Sequence, residues 1–66
     1  MNNSFKKILE TKVVGNIEYR LAHLMKDDLF VIYKFDKNIK SIQYISEVFR
    51  SESEKNAREY LERLGE

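Results

Sequence analysis

The sequence predicts an α+β domain, a four-stranded antiparallel meander with one C-terminal helix packed on one face, in the order ββββα. Three observations carry this expectation. Val, Ile, Leu, Phe and Tyr crowd the chain from Lys6 to Phe49 in runs broken by short polar clusters. Those clusters are too short for the crossovers that parallel strands need. After Phe49 the apolar spacing changes from the alternation of a strand to the period of a helix. The chain has 66 residues, no proline, no cysteine and only two glycines, which fits one two-layer domain over residues 1–66.

The strands are expected at about 6–14, 17–25, 29–36 and 41–49, separated by Val14-Gly15-Asn16, Lys26-Asp27-Asp28 and Lys37-Asn38-Ile39-Lys40. Opposed residues of antiparallel strands share a face, so each loop length fixes a register. A three-residue loop at 14–16 pairs Leu9 with Leu21 and Thr11 with Tyr19. A two-residue Gly15-Asn16 turn would set Glu10 against Leu21 and Lys12 against Tyr19. The first segregates apolar from charged residues and is preferred. A 26–28 loop then pairs Leu21 with Tyr33, and a 37–40 loop pairs Phe35 with Ile42. This register gathers Leu9, Val13, Ile17, Tyr19, Leu21, Met25, Leu29, Val31, Tyr33, Phe35, Ile42, Tyr44 and Val48 on one face, where the helix should lie.

The helix is expected over about 52–64. Ser51-Glu52-Ser53-Glu54 fits a capping box with Ser51 as the N-cap. Ala57, Tyr60, Leu61 and Leu64 then form one stripe. Glu54–Arg58 and neighbouring pairs lie on the solvent side, and Gly65 stands where a left-handed residue would end the helix.

Composition excludes several chemistries. The absence of cysteine removes disulfides, thiolate metal sites and Cys–His catalysis. His23 is the one histidine, placed by this register on the core side, and Asp27 and Asp28 sit in a hairpin loop where they serve the turn. Gly15 alone makes no phosphate loop. No catalytic residue, metal ligand or cofactor is therefore assigned, and the expected protein is not an enzyme. No apolar run approaches the roughly 20 residues of a membrane span, and the first residues lack a signal-peptide apolar segment. The cytoplasm is the expected location, with no membrane partner.

Charge is nearly balanced, with 12 basic and 11 acidic residues. It is unevenly spread: nine basic and six acidic residues run through Arg50, against three and five after it. Lys34, Lys37, Asn38 and Lys40 surround the third turn, and Arg20 adds a cation on the sheet. A two-stranded ribbon carrying such residues can enter a DNA groove. Several strands followed by Phe49-Arg50-Ser51-Glu52-Ser53-Glu54-Lys55-Asn56-Ala57 and Tyr60-Leu61 resemble the ends of small sheet-plus-helix modules of bacterial mobile elements. One such family is the arm-site DNA-binding domain of tyrosine recombinases. The chain is also similar to short open reading frames of Gram-positive transposons and phages. The resemblance spans the strand-to-helix junction and implies a DNA-reading sheet face; it transfers no individual site residue.

The face opposite the helix carries the leading functional expectation. In the expected register Ile8, Ala22, Ile32 and Ile45 form one row across all four strands, with Leu24 and Phe30 in the next. One helix cannot cover both sides of a sheet. These six residues are therefore the candidate surface for a protein partner or a homodimer. The alternative is a DNA-binding accessory protein of a mobile element, using the 34–40 hairpin and the sheet face.

Overall fold

The structure is a computed structural model that describes residues 6–38 and 45–65. Four antiparallel strands stand in the order β1 (Lys6–Val14), β2 (Ile17–Leu24), β3 (Leu29–Asp36) and β4 (Ser46–Ser51), followed by one helix, α1 (Glu54–Arg63). The ββββα architecture expected from the sequence is the one observed. The fourth strand is seen at Ser46–Ser51, two residues past its expected end, and residues 41–44 of the expected strand lie outside the described residues.

Each hairpin corrects the expected register. The β1–β2 connection is the two-residue turn Gly15-Asn16, closed by the Val14–Ile17 pair. Gly15 has φ +61°, the first-position geometry of a type II′ turn, which glycine adopts without steric cost. Glu10 therefore opposes Leu21 and Lys12 opposes Tyr19, the pairing that charge segregation disfavoured. An extra residue, Leu9, then bulges out, and beyond it Ile8 opposes Ala22.

The β2–β3 loop has four residues, Met25–Asp28, with Leu24 opposite Leu29. The Asp27 N–H donates to the Leu24 carbonyl at 3.2 Å, and Asp28 takes φ +53°, a left-handed conformation that aspartate tolerates. One loop residue more than expected slips the register by one, and Leu21 opposes Ile32 rather than Tyr33. Ile32 opposes Phe49 in turn, with a second bulge at Val48 before Tyr33 meets Glu47.

The slip turns β3 over. Leu21, Phe30, Ile32, Ala57 and Leu61 form the core beneath the helix, with Leu9, Tyr19, Val48, Phe49 and Leu64 packed around it. Leu29, Val31, Tyr33 and Phe35 alternate with these core residues and point to the opposite side. Both bulges deliver their extra residue, Leu9 and Val48, to the core while kinking an edge strand.

The helix starts two residues later than the capping box suggested. Ser53 is the N-cap, its hydroxyl accepting from the Asn56 N–H at 3.2 Å, while the Ser51 hydroxyl accepts from the Ser53 N–H. At the other end the helix stops at Arg63, one residue short of the expected 64, with the extended Leu64 as its C-cap, and the left-handed Gly65 at φ +90° follows that cap. A Cβ there would stand 2.9 Å from a Val14 methyl, so the position also needs glycine for space.

Two charged residues on the helix side of β1 fix how α1 lies. Lys12 Nζ donates to the carbonyls of Leu61 and Glu62 at 3.1 and 2.7 Å, capping the negative end of the helix. Glu10 pairs with Arg58 at 2.9 Å, and Arg58 also holds Glu54 at 2.7 Å. The register places Glu10 and Lys12 on the helix side, where these contacts hold them, Glu10 still open to solvent.

Candidate protein-interaction face

The observed register sets out the other side of the sheet level by level. Lys6, Leu24 and Leu29 share one level, and Ile8, Ala22, Val31 and Arg50 the next. Thr11, Arg20, Tyr33 and Glu47 follow, then Val13, Glu18 and Phe35. No described element packs on this side, because α1 lies wholly on the other. Ile8 is 45% exposed and Val13 52%. Ala22 and Val31 are fully buried yet stand outside the helix core.

Their cover includes long side chains of the same face. Lys6 Nζ rests 4.6 Å from the centroid of the Tyr33 ring, across the level of Ala22 and Val31. Arg20 lies 4.5 Å from the Phe35 centroid and pairs with Glu18. Cationic stems of this kind lay methylenes over apolar surface while the charge stays wet. Arg50 makes a two-pronged pair with Glu47, at 3.0 Å from Nε and 2.9 Å from a terminal nitrogen. The hydrogen bond from Arg50 is the main reason the Glu47 carboxyl titrates below the usual carboxylate range, and the same bond raises Arg50.

Of the six residues expected on this face, Ile8, Ala22 and Leu24 are there. Phe30 and Ile32 are not: they are 8% and 0% exposed in the helix core. Their placement is corrected by the four-residue β2–β3 loop. Ile45, 37% exposed, stands just before β4 and does not share a level with Ile32. The residues missed are Leu29, Val31, Tyr33 and Phe35. A signal for them was present in the unbroken run Leu29-Phe30-Val31-Ile32-Tyr33, because strands covered on both faces read as continuous apolar stretches.

The residues considered for nucleic-acid binding do not converge. Arg20 is on the outer side in its pair with Glu18, whereas Lys34 opposes Tyr19 on the helix side. Lys37 and Asn38 lie in the turn after β3, where the Lys37 N–H donates to the Asn16 carbonyl and the Asn38 N–H to the Asp36 carboxylate. Lys40 lies outside the described residues.

His23 stacks on Phe30 with centroids 4.4 Å apart and contacts Asp28 through Nε2 at 2.9 Å, an arrangement that braces the β2–β3 loop. A shallow concavity of about 660 Å³ beside the helix is lined by Glu10, Glu54, Lys55, Arg58, Glu59 and Glu62. Three of these, Glu10, Glu54 and Arg58, form the ion-pair cluster that ties helix to sheet. Among the described residues no three His, Cys, Asp or Glu side chains come together as metal ligands, and no helix is long and apolar enough to cross a membrane. Comparison of the chain with protein-family models, curated proteins and solved structures finds no match in any of the three.

Proposed function

We propose that this protein is a non-enzymatic interaction module that docks a protein on the outer face of its sheet. One observation carries the reading. Every outward position of β3, from Leu29 through Val31 and Tyr33 to Phe35, is apolar or aromatic, whereas the inward set is apolar at Phe30 and Ile32 and charged at Lys34 and Asp36. Among the described residues, a helix covers one side of this strand and no element packs on the other. The charge pattern favours protein over nucleic acid, since Arg20 and Arg50 already hold carboxylates. Phosphate binding draws on cations free to replace counterions.

The sheet edges are poorer docking sites than the face. Each edge strand carries a bulge, β1 at Leu9 and β4 at Val48, and β1 adds Lys6, Lys7 and Lys12. These features discourage strand addition.

Photo-crosslinking tests the reading. p-Benzoyl-phenylalanine in place of Phe35 is expected to yield protein adducts, the chain's own copy included, when the bait is irradiated in a cell lysate. The same group in place of Lys55, exposed on the helix, is expected to yield far fewer. Equal labelling from both positions, or none from position 35, would overturn it.

A further inference from the structure

We draw no further inference here: the strongest candidate, the apolar strip Leu29–Val31–Tyr33–Phe35 on the outer face of the sheet, has Val31 fully buried within it, and nothing among the described residues shows what covers it.

Discussion

Ile32 and Val31 are neighbours of similar size, and both are fully buried, but for different reasons. Ile32 sits against Leu21 and Leu61 under the helix, whereas Val31 is shielded on a face that carries no helix. Ile32→Lys would place an ammonium in that core without a partner and is expected to unfold the domain. Ile8→Lys changes a half-exposed position and is expected to leave the thermal midpoint near that of the wild type. Two circular dichroism melts check the contrast, and an Ile32→Lys chain that melts like wild type would refute the observed register. The helix start is checked at the same scale. Ser53→Ala removes the hydroxyl that accepts from the Asn56 N–H and is expected to cost about 1 kcal/mol in urea unfolding, with a smaller loss for Ser51→Ala. The reverse order would return the cap to Ser51.

At the scale of elements, the legible parts of the sequence are those where a local signal has one physical meaning. The helix knobs Ala57 and Leu61 and the antiparallel meander belong to this class. The registers do not. In β3 one alternating set, Leu29, Val31, Tyr33 and Phe35, is wholly apolar while the other runs from Phe30 and Ile32 into Lys34 and Asp36, so amphipathicity points to the wrong set, and the loop decides through whether Met25 joins it. In β1 charge segregation chose wrongly because Glu10 and Lys12 serve the helix: one holds Arg58 and the other caps the Leu61 and Glu62 carbonyls. The glycine-first turn Gly15-Asn16 was the better guide there, being a recognised two-residue hairpin signal. The outer strip was missed with the register, since its four members were assigned to the core side. If Lys12 docks the helix, Lys12→Met keeps the apolar stem but loses both hydrogen bonds, and is expected to cost about 1 kcal/mol. Leu61→Ala, which empties the centre of the helix contact, is expected to cost about 2–5 kcal/mol in the same assay. A Lys12→Met variant as stable as wild type would reduce that contact to an incidental one.

The whole molecule is a slab of 31 × 31 × 14 Å, thin because a single helix layer lies on a single sheet layer. Much of its polar surface is organised as ion pairs, and acid tests one of them directly. Glu47 titrates below the usual carboxylate range, first because Arg50 donates hydrogen bonds to it, against the opposing effect of burial and with a lesser contribution from the Arg50 charge. A carboxyl depressed on folding contributes stability that is present above its unfolded value of about 4.3 and is lost as the pH falls through the folded value. Glu47→Gln removes that contribution at neutral pH and has nothing to remove once the acid is protonated. Melts of dilute samples at pH 7 are therefore expected to place the variant modestly below the wild type. The two curves should converge as the pH drops below the carboxylate range. The effect is small because both partners are well exposed to screening water and salt, and added salt should narrow the gap at pH 7. A gap that persists unchanged in acid would mean that Glu47 acts through packing against Arg50 rather than through its charge.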